Sequence, residues 1–192
     1  MRVERQSICT IVPMTNSVKV RSADLEDVLE MVRMRHAVFR SMADAGAASR
    51  PEEIEDTSWY VNAKEAIAHQ INRGTLGAFV IDAESSSLHP ANAASRPLSA
   101  CAIATLDERL PGPGFPQGLS GSMSSVFVEP THRGRGYARL VVSAGISWLE
   151  SRGAEVVDLH ATPQATQLYR ALGFTEPRSL SLRRVFTSTL NT

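Results

Sequence analysis

The turn His132–Arg139 carries two glycines and three arginines, and these residue types together can bind an anion. It lies between an apolar segment and a segment with helical spacing, where free backbone N–H groups meet the positive end of a helix dipole. Gly134 and Gly136 allow a phosphate to approach the main chain, and the arginines can add charge-assisted hydrogen bonds. The turn therefore predicts a ligand that carries phosphate.

Two other phosphate-binding patterns fit this turn less well. A dinucleotide-binding fold requires G-x-G-x-x-G, but Arg139 occupies the position of the third glycine. A P-loop requires G-x-x-x-x-G-K-[ST], which is absent from the sequence. Because the chain contains 18 arginines, the cluster in the turn is by itself also consistent with a solvated surface.

A second motif supports a more specific interpretation. The turn reads Arg-x-x-Gly-x-Ala over Arg133–Ala138, and Thr162–Phe174 reads Thr-x-x-Ala-x-x-Leu-Tyr-x-x-x-Gly-Phe. In this order the two motifs resemble those of the GNAT N-acetyltransferases, and the resemblance extends over about Val18–Phe186. It implies a mixed α/β (α+β) fold, in which a central mixed, mostly antiparallel sheet of about six to seven strands is flanked by about four helices.

The resemblance also implies that acetyl-CoA is the co-substrate and that no metal takes part. In the family the pyrophosphate binds the backbone of the turn, and the pantetheine arm pairs with the exposed edge of a strand that here is Val126–Val128. Thr162 stands where the family pattern has asparagine, so a hydroxyl would replace a side-chain amide. The implied cofactor-binding residues are Val126, Phe127, Val128, Arg133, Gly134, Arg135, Gly136, Tyr137, Ala138, Arg139, Thr162 and Tyr169.

The implied reaction is direct attack of a primary amine on the acetyl thioester in a ternary complex. Tyr169 resembles the general acid of the family, because a phenol with a pKa near 10 can protonate the departing thiolate. Glu129 and His160 follow the two strands that should border the thioester, and each is a candidate base as well as an ordinary structural residue. The alternative is an acyl-CoA-binding regulatory module without turnover. The sequence does not identify the acceptor amine.

The elements around the turn must hold it in place. Met123–Val128 is apolar and predicts a strand, and Gly136–Arg152 places apolar residues at helical spacing. Glu155–His160 predicts the next strand, after which Thr162 and Pro163 provide the N-cap and the first position of another helix. The order from Met123 is therefore strand, helix, strand, helix.

The rest of the chain predicts a smaller set of elements and one domain. The two strands Leu76–Ile81 and Leu98–Leu106 are expected to pair as a hairpin. Residues 1–17 predict an irregular arm, and residues 18–192 predict a single domain. The remaining predicted elements are the strands Val18–Val20, Leu76–Ile81, Leu98–Leu106 and Leu180–Phe186, helices over about Leu25–Phe39 and Thr57–Arg73, and the Pro/Gly-rich loop Leu110–Gly118.

Composition excludes several classes of function. The chain has 192 residues with 20 basic and 20 acidic side chains, so neither a nucleic acid nor an anionic membrane is an expected partner. No apolar run approaches the roughly 20 residues that cross a bilayer. Cys9 and Cys101 are the only cysteines, and their isolation predicts inert thiols in a cytoplasmic protein. The sequence leaves open whether the chain is a monomer or a homodimer.

Overall fold

A five-stranded sheet, with its strands in chain order, forms the centre of the described part of the chain. The computed structural model describes residues 18–44, 46, 51–84, 96–177, 181, 182 and 184. Neighbouring strands are antiparallel except for the last two, which are parallel. The strands are β1 (Arg21–Ser22), β2 (Leu76–Asp82), β3 (Leu98–Glu108), β4 (Leu119–Val128) and β5 (Val156–Leu159).

Five α-helices accompany this sheet in the described residues. Three short 3-10 turns lie at Leu25–Asp27, Pro130–His132 and Pro163–Ala165. A mixed α/β fold built on a mostly antiparallel sheet confirms the predicted fold class. The helices are α1 (Val28–Asp44), α2 (Pro51–Glu55), α3 (Tyr60–Arg73), α4 (Tyr137–Ser151) and α5 (Thr166–Arg170).

The described residues contain five strands rather than the predicted six to seven, and the strands differ from the prediction at both ends of the chain. The first strand lies at Arg21–Ser22 rather than at Val18–Val20, because Arg21 is the residue that pairs with Val80 of β2. Most of the predicted strand Leu180–Phe186 lies outside the described residues, and residues 181, 182 and 184 are not in a strand. The predicted arm, residues 1–17, also lies outside them.

An ion-pair network around the buried Asp27 lies at the start of α1. Asp24 accepts a hydrogen bond from the Glu26 N–H, while the Asp27 carboxylate accepts from the Asp24 N–H at 2.9 Å, so the two aspartates form a capping box. Asp27 is fully buried and also receives both terminal nitrogens of Arg21, at 2.6 and 2.8 Å. Burial alone would raise the pKa of Asp27, but these hydrogen bonds outweigh it and lower the pKa. Asp82 pairs with Arg21, and Arg96 pairs with Asp24. We name the five residues Arg21, Asp24, Asp27, Asp82 and Arg96 the cap cluster.

Two apolar layers cover the two faces of the sheet, and alternate residues of β3 face one or the other. Cys101 and Ile103 pack with α1 and α3, whereas Ala102 and Ala104 face α4. The small side chains let α4 lie close to the sheet, and a Cβ added to Gly77 of β2 would lie 2.8 Å from the Trp148 ring. This close packing holds the start of α4, and therefore the turn that precedes it, against β4.

Two expectations drawn from composition can be compared with the structure. Cys101 lies on β3 without exposure to solvent, and burial raises the pKa of its thiol to about 12, which agrees with the predicted inert thiol. Cys9 lies outside the described residues. Among the helices that the structure describes, none has the length and apolar character needed to cross a membrane.

Candidate active site

A cleft with a volume of about 390 Å³ opens between α1, β4, α4 and α5. Three groups of its lining residues belong to the predicted site. These are the end of β4 (Val126–Val128), the turn Arg133–Arg139 apart from Arg135, and the pair Thr162 and Tyr169. The structure therefore brings together two motifs that are separated by the whole of α4 and β5. We refer to Arg133–Arg139 as the glycine turn.

One wall of the cleft is formed by α1 and has no counterpart in the predicted site. Val38, Ser41 and Met42 line the cleft from this helix. Their spacing of three and four residues is that of one helix face, which in a sequence indicates a buried stripe. A helix face that packs on a sheet and a helix face that lines a cleft have the same residue spacing. Periodicity in the sequence therefore cannot distinguish a cleft wall from a buried face.

β4 has a free edge along the cleft. β5 pairs with β4 only as far as Leu159 opposite Met123. On its other side β4 remains paired with β3 up to Val128. Residues 124–128 of β4 therefore have no neighbouring strand on the β5 side within the described residues, and their main-chain groups on that edge can pair with an extended ligand.

A β-bulge lies in β4 where the two strands separate. The β3–β4 register shifts between Cys101 and Ile103, which leaves one extra residue in β4 beside Ser125. Ser125 has a φ of 51°, a left-handed conformation that is uncommon for a residue other than glycine. Its hydroxyl accepts a hydrogen bond from Arg35 Nη1 at 2.7 Å. Because bulges bend a strand and redirect its edge, this one sets the direction of Val126–Val128.

The glycine turn presents free backbone donors at the start of α4. Gly134 and Gly136 have φ values of 76° and 81°, and a Cβ on either residue would meet no atom within 4 Å. In the part of the chain that the structure describes, no acceptor pairs with the N–H groups of Gly134, Arg135 or Gly136. The first N–H groups of the 15-residue helix α4 lack helical partners too, and the helix dipole adds positive potential. The turn can therefore bind an anion with its main chain.

The three arginines of the glycine turn differ in how they are held. Arg133 Nε donates to the Val128 carbonyl at 3.3 Å, and its guanidinium carbon lies 6.0 Å from the centre of the Phe127 ring. Arg135 and Arg139 are exposed, and neither has a hydrogen-bond or ion-pair partner among the described residues. Arg139 lines the cleft, whereas Arg135 does not. The turn therefore carries positive charge that no described carboxylate offsets.

Tyr169 reaches the cleft from α5, and only 7% of its surface is exposed. Its ring packs edge-on against Phe174 with 5.8 Å between the ring centres. The hydroxyl has no hydrogen-bond partner among the described residues. Among these residues, His36 Nε2 is the one side-chain polar atom that is both unpaired and inaccessible to solvent, so the unpaired Tyr169 hydroxyl is accessible to solvent. Burial raises the pKa of the phenol, so Tyr169 is protonated at neutral pH. It can therefore donate a proton to a group in the cleft.

Thr162 also lines the cleft, but it does not cap a helix with its side chain as its position predicts. It occupies the N-cap position of the 3-10 turn Pro163–Ala165 without a hydrogen bond from its hydroxyl. Its carbonyl instead accepts from the Thr166 hydroxyl at 3.1 Å and from the Ala165 N–H at 3.0 Å. The backbone carbonyl of Thr162 accepts these local hydrogen bonds, so the Thr162 hydroxyl is available to a ligand.

The two candidate bases do not line the cleft. Glu129 follows β4, and its carboxylate forms a short ion pair with Arg33 of α1, which also binds Glu30 at 2.7 Å. His160 follows β5 and is exposed, with no partner among the described residues. Neither side chain is therefore brought next to Tyr169. Within the described ranges, no group of three or more His, Cys, Asp or Glu side chains is arranged to hold a metal ion.

Comparison with known sequences gives one informative match. The sequence profile of the acetyltransferase (GNAT) family matches residues 51–174, which include both motifs and every strand from β2 to β5. No curated protein sequence is a significant match to the chain.

Solved structures of low sequence identity share the fold. A GCN5-related N-acetyltransferase from Ralstonia eutropha JMP134 is 20% identical with a TM-score of 0.69, and the match covers 87% of this chain and 98% of that one. A predicted acetyltransferase from Clostridium acetobutylicum, solved with acetyl-CoA, is 19% identical with a TM-score of 0.67 over 86% and 96% of the two chains. Glucosamine-6-phosphate N-acetyltransferase from Arabidopsis thaliana is 16% identical with a TM-score of 0.58 over 89% and 99%.

Proposed function

The chain belongs to the GNAT acetyltransferase family, and on this basis we propose that it transfers the acetyl group of acetyl-CoA to a primary amine. The amine attacks the thioester directly in a ternary complex. The observation that carries the proposal is the free edge of β4, which joins the anion-binding glycine turn to the part of the cleft lined by Tyr169. The Clostridium acetobutylicum neighbour of the same fold was solved with acetyl-CoA, which supports the choice of co-substrate.

The glycine turn fits the pyrophosphate of this co-substrate. Gly134 and Gly136 leave open space where a side chain would stand, and the unpaired N–H groups beside them are donors for phosphate oxygens. Arg135 and Arg139 add positive charge at the same turn. Tyr137 and Ala138 contribute the first N–H groups of α4.

The edge of β4 fits the amide-bearing arm. An extended arm with amide groups can pair with the main chain of Val126–Val128 in the manner of an added strand, since no described strand occupies that side. Phe127 and Val128 also position Arg133 at the phosphate end through its ring and carbonyl contacts. The Thr162 hydroxyl is free to hydrogen-bond the arm from the opposite side of the cleft.

Tyr169 supplies a proton in this scheme. The co-substrate provides an activated acetyl group, and the amine nitrogen forms a bond to the acetyl carbon as the carbon–sulfur bond breaks. The Tyr169 hydroxyl donates its proton to the departing sulfur, and the electron pair of the broken bond stays on that sulfur. Because burial keeps the phenol protonated, it is in the acid form when the amine attacks.

The attacking amine must also lose its protons, and Glu129 and His160 are the candidates for this role. Glu129 forms an ion pair with Arg33, while His160 is exposed to solvent beyond β5. Either group therefore acts through a water chain if it acts as a base, since neither lines the cleft. Glu129→Gln and His160→Asn separate the two: only the variant that lacks the base loses kcat, and its deficit relative to wild type shrinks toward acidic pH, where the wild-type base is itself protonated.

A screen that measures thiol release from acetyl-CoA against a panel of amines tests the proposed activity. We expect release that depends on one class of amine, with acetylated amine formed in equal amount. Calorimetry and thermal melting with acetyl-CoA alone test the cofactor site separately. At a ligand concentration of about 100 times Kd, binding to the folded state alone should add about 2.7 kcal/mol of stability.

The two measurements have different consequences. Binding of acetyl-CoA without release from any amine would favour the regulatory module, in which the cofactor site lacks turnover. Absence of both binding and a thermal shift at millimolar acetyl-CoA would contradict the cofactor assignment itself. The Gly136→Val variant serves as the negative control for binding, because its side chain would fill the open space of the glycine turn.

A further inference from the structure

Arg35 is a half-buried cation with no counter-charge among the described residues. Its Nη1 donates to the Ser125 hydroxyl, and its guanidinium carbon lies 4.9 Å from the centre of the Phe39 ring. No carboxylate among the described residues lies within ion-pair distance of it, in contrast to Arg21 and Arg33, which pair with aspartate or glutamate. Both contacts of Arg35 are to neutral groups, so its charge is held in place without being offset.

The environment of Arg35 disfavours its charged form. Burial lowers the pKa of Arg35, and no nearby acid opposes this effect, whereas carboxylates raise the pKa of Arg21 and Arg33. Taking a guanidinium partly out of water costs free energy unless an anion or a set of acceptors replaces the lost hydration. One hydroxyl uses only one of the N–H groups, and the remaining donors are available to a ligand.

Arg35 does not itself line the cleft, but it lies beside the end of the cleft that is away from the glycine turn. Ser125, which holds it, is the bulge residue of β4 and directly precedes Val126, the first residue of the strand that lines the cleft. On α1, Val38 follows Arg35 by almost one helical turn and lines the same cleft. The glycine turn lies beyond the opposite end of Val126–Val128. Positive side chains therefore lie near both ends of the cleft, namely the arginines of the glycine turn at one end and Arg35, next to lining residues, at the other.

We propose that Arg35 binds an anionic group of the acceptor, so that the substrate is an amine that also carries a carboxylate or a phosphate. This inference rests on the proposed function, because it places the acceptor at the end of the cleft that the co-substrate phosphates do not use. A guanidinium pairs with both oxygens of a carboxylate or phosphate, and such charge-assisted bonds are among the stronger ones in proteins. The same charge repels polycationic amines. Arg35 is in this view a residue that determines specificity, and it takes no part in proton transfer.

Matched pairs of amines test the inference. Each pair consists of an amine with the anionic group and the same amine without it, namely amino acids against their carboxamides and phosphorylated amino sugars against the unphosphorylated sugars. Binding is measured by calorimetry in the presence of CoA, which cannot transfer an acetyl group. We expect the anionic member of at least one pair to bind roughly 10- to 100-fold more tightly. The carboxylate and phosphate arms identify which anion the site accepts.

The variant Arg35→Gln links the preference to this side chain. Glutamine keeps a donor for Ser125 but has no charge, so the anionic member should lose its advantage while the neutral member and acetyl-CoA bind as before. Arg40→Gln is the matched control, because Arg40 lies on the same helix, is 62% exposed and pairs with Glu55 at 3.6 Å. Thermal melting of each variant shows that it is folded, and Ser125→Ala, which removes the anchor of the guanidinium, should weaken the preference partially.

The outcomes separate this inference from the proposed function. No preference for the anionic member in any pair, or a preference that Arg35→Gln leaves unchanged, would overturn the role of Arg35 whatever the transfer screen shows. Preferential binding that depends on Arg35, in a protein that transfers no acetyl group to any bound amine, would support the anion site and contradict the proposed acetyl transfer alone.

Discussion

The cap cluster and the cleft use charged side chains in opposite ways. In the cap cluster, Asp27 is fully buried and pairs with two nitrogens of Arg21, and the neighbouring carboxylates and Arg96 are paired in turn. Arg139 in the cleft and Arg35 beside it have no described carboxylate partner. In the cap cluster the buried carboxylate is paired within the protein, whereas the cations in and beside the cleft have no described carboxylate partner and can pair with a ligand.

The difference separates residues that stabilise the fold from residues that bind ligands. A buried ion pair that is broken on one side leaves an uncompensated charge and destabilises the folded state. An exposed, unpaired cation contributes little to folding and can pair with an anionic ligand without first losing a protein partner. Substitutions in the cap cluster should therefore change the free energy of unfolding, whereas substitutions around the cleft should change binding or catalysis.

The largest expected effect is on catalysis by Tyr169→Phe. The ring and its packing on Phe174 are kept, so stability and acetyl-CoA affinity should change little. Loss of the proton donor should lower kcat by roughly 10²- to 10⁴-fold. The raised pKa of Tyr169 also fixes the direction of its contribution to the pH dependence: the acid form persists until the pH exceeds the ordinary phenol value of about 10, so loss of the Tyr169 proton should lower the wild-type rate only in that alkaline range. Steady-state kinetics with an accepted amine measure both effects.

The control for this prediction is Tyr60→Phe. Tyr60 is hydrogen-bonded to His36 Nδ1 at 2.5 Å and does not line the cleft, so its substitution should leave kcat unchanged. A Tyr169→Phe enzyme that turns over at the wild-type rate, with chemistry shown to be rate-limiting, would make Tyr169 a packing residue.

The next largest effect is on cofactor binding by Gly136→Val. The side chain would enter space that is open in the structure and is needed for a phosphate to reach the N–H groups. Acetyl-CoA affinity should fall by roughly 100-fold or more, which is about 2.7 kcal/mol. Gly114→Val is a matched control, since Gly114 has a φ of 75° and equally open surroundings but lies in a loop outside the cleft. Equal loss of affinity in both variants would indicate general damage to the fold rather than a blocked phosphate site.

Asp27→Asn should lower stability and leave acetyl-CoA affinity unchanged, the reverse of the effect expected for Gly136→Val. Removing the charge from a fully buried carboxylate leaves Arg21 with only the partly exposed Asp82 as a counter-charge, and we expect the protein to lose roughly 2–3 kcal/mol of stability with acetyl-CoA affinity retained. Denaturant unfolding and calorimetry measure the two quantities. Asp158→Asn is the control, because Asp158 is 58% exposed and its pair with Arg109 at 3.4 Å should contribute less than about 1 kcal/mol.

The pH dependence of stability also tests the role of the Asp27 carboxylate. The pKa of Asp27 is lowered in the folded state, so its contribution is present above the unfolded value of about 3.9 and is lost as the pH falls through the lower folded value. Stability of the wild-type protein should therefore decrease below about pH 4. The decrease should be smaller in Asp27→Asn, and an identical acid profile for the two proteins would contradict the role of this carboxylate.

The sequence predicts best those parts of the site that depend on local signals. The predicted helix Gly136–Arg152 differs by one residue at each end from α4, because the positive φ of Gly136 and Gly153 marks its limits. The β2–β3 hairpin and its antiparallel pairing are also confirmed, since each strand is a continuous apolar run between turn residues.

Long-range features of the site could not be predicted in this way. The ion pair of Glu129 with Arg33 joins residues 96 positions apart, and the bond between Arg35 and Ser125 joins residues 90 apart. The bulge at Ser125 has no glycine to indicate it, and β4 begins four residues before the predicted Met123 because polar serines interrupt its apolar pattern. The α1 wall, the position of Arg35 beside Ser125 and the partner of Glu129 all depend on such contacts between distant segments.

The smallest expected effect is that of single arginines in the glycine turn. Arg139→Ala and Arg135→Ala should each weaken acetyl-CoA binding by about 1–2 kcal/mol or less, as single charge-assisted contacts at an exposed turn. The structure ranks the two, because Arg139 lines the cleft and Arg135 does not. Neither substitution should change the free energy of unfolding by more than about 0.5 kcal/mol, since neither side chain has a described protein partner.

Salt separates a charge effect from a local change in the turn. If the arginines act through their charge, the difference in Kd between wild type and Arg139→Ala should shrink as ionic strength rises, because exposed charges are screened over roughly 10 Å at 0.1 M salt. Arg109→Ala is the control: Arg109 is 53% exposed and lies outside the cleft, so its loss should not alter Kd at any salt concentration. A larger effect for Arg135 than for Arg139 would mean that the phosphates lie on the outer side of the turn rather than in the cleft. In that case the free charge at the turn and the free edge of β4 would not belong to one binding site.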